Sequence, residues 1–365
     1  MMANNKVHPY KNLPEKAFWR KSVSSLYISE VDPVDKFDLK IDLETKVATA
    51  GSCFAQHIAR YLQNSGFNYF VAEKAHPLIP STLAKEHNYG AFSARYGNIY
   101  TARQLVQLFD RAFGNFTPQE TAWFDEDGTC RDPFRPNVQP SNFIHEAEML
   151  ADREQHLKCV KNMFETLDIF VFTLGLTETW ISKVDGAVFP ICPGTIGGDF
   201  DSGKYEFYNQ TASDVVQDMT IFIDKLKEIN SKAKVVLTVS PVPLMATAQE
   251  NAHVLQATTY SKSVLRVAAE ELRNKYEFVH YFPSFEIITG NFNRGKYYAK
   301  DLRNVIEPGV LHVMRLFLKH AAGVENLERN SEEPIKEVKN DFISKAEEVI
   351  DVECEEASLD RYADS

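Results

Sequence analysis

The residues with the clearest chemical potential are Gly51-Ser52-Cys53-Phe54-Ala55. A short apolar run, Val47–Ala50, precedes them, and Phe54, Ile58, Tyr61 and Leu62 then recur at helical spacing until Gly66. The spacing predicts a strand, a tight turn and a helix. A serine at such a turn lies outside the carboxyl end of its strand, where open parallel sheets hold ligands, and faces the free N–H groups of the first helical turn. Amides and a helix dipole so oriented favour a developing alkoxide or oxyanion. Serine is also a frequent N-cap, which would account for Ser52 without any chemistry. Cys53 stands at the same helix start, where thiolates are favoured, although a packed thiol is the commoner role.

Other patterns carry less. Ser261-Lys262 has the residue types of a Ser–Lys dyad, but adjacent helical residues diverge by about 100° and do not face each other. The histidines and carboxylates scattered through 76–156 show no H-E-x-x-H or comparable spacing, so neither a metal nor another cofactor is expected. Gly194, Gly197, Gly198 and Gly203 follow no strand-to-helix phosphate pattern and read as a surface loop.

These residues need a frame. Asp168–Leu174 and Lys234–Val239 are continuous apolar runs without alternation, the mark of central parallel strands covered on both faces. Between them Val215, Met219, Phe222, Ile223 and Leu226 form the helical stripe of the crossover that a parallel pair requires. An amphipathic stretch over 253–272, a strand within 276–282, a Gly/Asn-rich loop at 290–296 and a last helix over 308–321 follow. Breakers at Gly114, Pro118, Gly128, Pro133, Pro136 and Pro140 mark 110–165 as an insertion or cap. The expected fold is a three-layer α/β/α domain, flavodoxin-like, with a mostly parallel sheet of about five strands. Its body spans 41–322, after an extension over 1–40 that is anchored through Phe18, Trp19, Leu26 and Tyr27.

Composition narrows the function classes. The chain has 365 residues, 44% hydrophobic and 25% charged, within the globular range. The net charge of −11 is concentrated at the end: residues 325–365 hold 14 acidic and 5 basic side chains, which leaves −2 for residues 1–324. A near-neutral body without a basic stripe excludes nucleic acid as a partner. The acidic segment from 323 onward is too polar to bury a core and is expected to be mostly disordered. Five cysteines, odd in number and without C-x-x-C, suit reduced thiols. No apolar run approaches a membrane span and the first 21 residues lack a signal-peptide core, so a cytoplasmic location is expected.

The string GSCFA is similar to the signature of the GSCFA domain family, a branch of the SGNH/GDSL hydrolase-like proteins. The likeness continues through Gly97-Asn98-Ile99-Tyr100-Thr101, Phe170–Trp180, Phe189–Gly194, Leu237–Pro243 and Tyr281–Glu286, and covers about residues 47–320. It implies Ser52 as nucleophile. It implies an oxyanion site from a second-block glycine, Gly90 or Gly97, with Asn98 as a further donor, and from the third block, Gly175-Leu176-Thr177-Glu178. There Thr177 replaces the usual asparagine; a helix start, with Thr177 as cap and Glu178 in the first turn, is compatible with that role. The D-x-x-H segment corresponds to Asp301-Leu302-Arg303-Asn304, with Asn304 in place of the histidine. Asparagine cannot take a proton from serine, so Asp301 needs an imidazole from elsewhere. His312, one to two turns into the last helix and off its core stripe, and His253, at the carboxyl end of a strand, are the candidates. His57, five residues beyond Ser52 on its helix, points away.

The resemblance thus implies serine-dependent hydrolysis of a small O-acyl ester such as an acetyl group, on a carbohydrate or related metabolite, or acyl transfer from it. A scaffold that has lost its base and only binds is the alternative from a different class. No nucleic acid and no membrane partner is expected.

Overall fold

The computed structural model describes residues 8–52, 54–324 and 358–359. Cys53 and nearly all of the acidic tail lie outside the described residues.

The chain runs β1 (Val47–Gly51), α1 (Phe54–Asn64), α2 (Ser81–Glu86), α3 (Ala102–Ala112), β2 (Trp123–Phe124), β3 (Cys130–Arg131), α4 (Glu146–Thr166), β4 (Ile169–Leu174), β5 (Glu178–Ser182), β6 (Val188–Phe189), β7 (Tyr205–Asn209), α5 (Ala212–Ile229), β8 (Lys234–Val239), α6 (Val254–Lys275), β9 (Val279–Tyr281), α7 (Ser284–Thr289) and α8 (Glu307–Ala322). The central sheet is parallel throughout, in the order β1-β4-β8-β9. Its faces are both apolar because neighbouring residues serve opposite layers. Phe170, Phe172 and Leu174 pack with α3, α4, α5 and α6, while Ile169 and Val171 pack with α1, α7 and α8. The expected three layers are present, around four parallel strands where about five are expected. The remaining strands form a separate antiparallel sheet, β6-β5-β7, and a two-stranded ribbon, β2-β3. Among the described residues no helix is long and apolar enough to cross a membrane.

Two boundaries differ from the sequence reading. Helix α4 closes what reads as an insertion, yet its Val160, Met163 and Phe164 belong to the main core. The N-terminal extension is held by Val31, Val34, Phe37, Leu39 and Ile41, all buried, whereas Trp19 and Tyr27 are 63% and 80% exposed. Apolar side chains close to the body are fixed there by Ile41 N–H, which donates to the last helix at Ala321 O.

The segment between α3 and α4 relies on charge more than on apolar packing. Asp132, 1% exposed, accepts from Arg135 and Arg153, and Asp152 accepts from Arg95 and Arg135. Glu73 joins through Arg95 and His156. The surrounding guanidinium groups hold the Asp132 carboxyl far below its usual range despite burial. Such pairs specify the arrangement of an irregular segment rather than adding much net stability.

Candidate active site

Strand β1 ends at Gly51, whose φ of +132° is a conformation that side chains rarely adopt. A Cβ there would stand 2.3 Å from Thr173 O, so β1 and β4 can close together only because residue 51 is glycine. That approach presents Ser52 at the carboxyl edge of the sheet, with its N–H donating to Thr173 O at 3.3 Å.

Ser52 is 4% exposed and, among the described residues, its Oγ has no hydrogen-bond partner. An N-capping serine would accept an N–H of the first turn through that oxygen. Here the Ala55 N–H goes to the Ser52 backbone carbonyl instead, at 2.8 Å. A buried hydroxyl without a partner costs free energy, which a structural serine would avoid. Thr173 Oγ1, on the adjacent strand, is buried and unpaired in the same way.

Two further segments converge on this edge. Ile99 N–H donates to Gly51 O, and Tyr100 O accepts from both Gly175 N–H and Leu176 N–H, so the loop 97–100 bridges the exits of β1 and β4. Gln104, in the first turn of α3, clamps that loop by accepting from Tyr100 N–H and donating to Asn98 O. Of the two second-block glycines, this places Gly97, with Asn98, at the strand ends. Gly90 sits in a turn whose Asn88 side chain donates to Asn137 O, beside the segment that precedes α4.

The third block is tied down. Thr177 does not open a helix; it precedes β5, its N–H donates to Ser261 Oγ and its hydroxyl donates to Asn209 Oδ1 at 2.6 Å. A proton given to Asn209 is not offered to an oxyanion, so Thr177 acts here as a brace. Glu178 accepts from Thr247 Oγ1 and Ala248 N–H, and burial raises its pKa.

Neither expected histidine is brought to Ser52. His312 is 3% exposed; one ring nitrogen meets Tyr297 OH at 2.8 Å and the other meets Val31 O at 2.9 Å. It lies off the core stripe of α8, but the N-terminal extension covers it: one nitrogen holds that extension through Val31 O and the other is engaged by Tyr297 OH. His253 is exposed and caps α6, its Nδ1 accepting the Leu255 N–H. His57 is buried on α1 against Phe54. Asp301 closes a self-contained turn: it accepts from the N–H groups of Arg303 and Asn304, and the Asn304 amide donates to its second oxygen at 2.6 Å. Asn304 therefore makes the contact with Asp301 that an imidazole would make. Tyr298 OH and Arg303 Nε donate to Pro241 O and Pro243 O, which puts this turn at the exit of β8, the second strand from β1.

Burial lowers the pKa of His312 to about 4. An unfolded histidine titrates near 6.5, so between about 6.5 and 4 the unfolded chain binds more protons and stability must fall as pH falls. The expected contribution is about 3 kcal/mol, present above pH ~6.5 and lost on approach to pH 4. Urea unfolding at pH 7.5 and 4.5 checks this: His312→Gln should flatten the difference between the two, and an unchanged difference would refute it. His57, lowered to about 3 by burial, adds a slope of the same sign that remains in the variant.

One residue pair has contacts that its helical spacing does not reveal. Ser261 and Lys262 on α6 do not face each other, but both reach the exit of β4: Ser261 through Thr177 N–H, and Lys262, 4% exposed, through a 2.5 Å hydrogen bond from Nζ to Gly175 O. The visible signal was a Ser-Lys step in a helix that follows a central strand. Among the described residues no group of three or more His, Cys, Asp or Glu gathers as metal ligands.

A search of curated proteins returns no significant match. Residues 46–317 match the model of the GSCFA family over the span that holds the whole central sheet, the Ser52 turn and most of α8. The chain belongs to the GSCFA family.

Proposed function

We propose that this protein is a serine-dependent esterase of the SGNH type, acting on a small O-acyl group, acetyl-like in size, carried by a carbohydrate or related metabolite. The observation that carries the reading is the Ser52 hydroxyl: buried, without a partner among the described residues, and held at the carboxyl edge of a parallel sheet by a glycine whose added Cβ would stand 2.3 Å from Thr173 O. In this scheme Ser52 Oγ attacks the acyl carbonyl, the alcohol leaves, and water releases the acid. The Gly97–Asn98 segment supports the oxyanion, because the loop that contains it is bound to Gly51 O and lines the same edge. The Asp301–Asn304 contact favours a second reading, a binding module without turnover, since the usual acid–base position is closed on itself.

Labelling with a fluorophosphonate at neutral pH, followed by peptide mass spectrometry, tests the proposal. The expected result is a single adduct on Ser52, absent from Ser52→Ala and retained in His312→Gln. Folded protein that stays unlabelled at Ser52 would leave the binding module as the better reading.

A further inference from the structure

The esterase reading lacks a group to take the serine proton, and the structure offers one that is not a histidine. We propose that Lys262 is the general base for Ser52; this rests on the reading of Ser52 as nucleophile.

Lys262 projects from α6 onto the exit of β4, the strand that pairs directly with β1, and its Nζ donates to Gly175 O. Gly175 is two residues beyond Thr173, the residue whose carbonyl receives the Ser52 N–H. Two residues of extended chain rise about 7 Å, so Gly175 O lies about that far along β4 from the carbonyl that holds Ser52, and the flexible four-carbon stem of Lys262 lets its amine swing from Gly175 O toward Ser52. The alternatives are further away or engaged. The Asp301 turn is at the exit of β8, roughly 10 Å from β1 at the ordinary strand spacing. His253 is exposed at the start of α6, nine residues before Lys262, and its Nδ1 is engaged in accepting the Leu255 N–H. His312 is bound at both nitrogens beneath the N-terminal extension.

The surroundings favour a working amine over a surface lysine. Lys262 is 4% exposed, and lysine is almost never buried unless paired; here its amine donates to a strand-exit carbonyl, a neutral partner. Helix α6 is pinned at this point by its neighbour Ser261, which accepts the Thr177 N–H. As a neutral amine, Lys262 donates one N–H to Gly175 O and takes the Ser52 Oγ proton on its lone pair while the Oγ–acyl bond forms. As an ammonium it is held by the same carbonyl through a stronger, charge-assisted bond. It then returns the proton to the alcohol oxygen as the ester C–O bond breaks. In the second half it takes a proton from the attacking water and gives it to Ser52 Oγ as the acid departs. Protons and electron pairs balance without any further reactant.

The test uses the full chain and the rate of fluorophosphonate labelling at Ser52 in three proteins: wild type, Lys262→Met and Lys262→Arg. Methionine keeps the length without charge or N–H. Arginine keeps the charge and the bond to Gly175 O but cannot give up its proton. We expect both variants to label at least ~10²-fold more slowly than wild type, the lower end of general-base effects. Thermal unfolding followed by circular dichroism should show Lys262→Met folded, with a lowered midpoint because Gly175 O loses its Lys262 donor. Near-wild-type labelling in Lys262→Arg would overturn the proposal and leave Lys262 only a positioning role at Gly175. Near-wild-type labelling in Lys262→Met would overturn both roles. In either case labelled wild type would leave the Ser52 reading intact, whereas wild type unlabelled at Ser52 would remove that reading and Lys262 with it.

Discussion

Gly51→Ala should cost at least ~3 kcal/mol of folding stability, an appreciable part of what a domain of this kind possesses. Two separate penalties meet at this residue. The φ of +132° belongs to backbone that L side chains avoid. Independently, the new Cβ would be 2.3 Å from Thr173 O and 2.8 Å from both Thr173 N and Thr173 Cβ. These are mostly backbone atoms of β4, the strand at the centre of the β1-β4-β8 ladder, so the obstruction cannot be relieved by rotating a side chain. The chain must either open the β1–β4 register at its carboxyl end or move Ser52. Chemical denaturation measures the effect as a lowered midpoint. An unfolding free energy within ~0.5 kcal/mol of wild type, the range of ordinary surface substitutions, would show that the close approach is not a requirement of the fold. Gly66 offers a comparison, since it also has a positive φ but has nothing within 4 Å of its Cβ position. Its replacement by alanine should cost less.

Much of this frame is legible in the sequence because local patterns decide it. The runs at 168–174 and 234–239 are apolar on both sides of the pleat, short and rich in Val, Ile and Phe, the composition of a strand covered twice. The strand–turn–helix around Ser52 is legible for the same reason, with Gly51 as the break. What was not legible depends on contacts distant along the chain. His312 reads as a residue off its helix's apolar stripe, and so as a free imidazole, but Val31, 281 residues earlier, occupies one of its nitrogens. Lys262 reads as a lysine beside a serine on a helix. Its meaning depends on Gly175, 87 residues away, and on the rotation of α6 over the exit of β4, which periodicity does not fix. Thr177 and Glu178 have the residue types of a helix start. They enter β5 instead because pairing with Tyr205–Asn209 offers a ladder that local preference cannot anticipate. The antiparallel sheet β6-β5-β7 went unseen for a similar reason: one of its strands has two residues, too short for alternation to register.

Ser52→Ala should separate activity from stability. Removing the nucleophile of a serine hydrolase lowers turnover by several orders of magnitude, up to about 10⁶. Stability should respond in the opposite direction or not at all. The Ser52 hydroxyl is buried without a partner among the described residues, so its loss removes an uncompensated polar group and should be neutral or stabilising by roughly 1 kcal/mol. An N-capping serine behaves differently, losing about 1 kcal/mol on truncation to alanine. Lower stability in Ser52→Ala would therefore point to a structural serine even before any assay.

The most direct measurement is capture of the acyl-enzyme. Wild type and Ser52→Ala would each be incubated with an activated acetyl ester such as p-nitrophenyl acetate, quenched in acid within seconds and mapped by peptide mass spectrometry. The account predicts one acetyl group on the peptide that carries Ser52, assigned to its hydroxyl by fragmentation, turning over with release of acetate and missing from the alanine variant. Acetylation confined to other residues, or equal ester hydrolysis by wild type and Ser52→Ala, would contradict it.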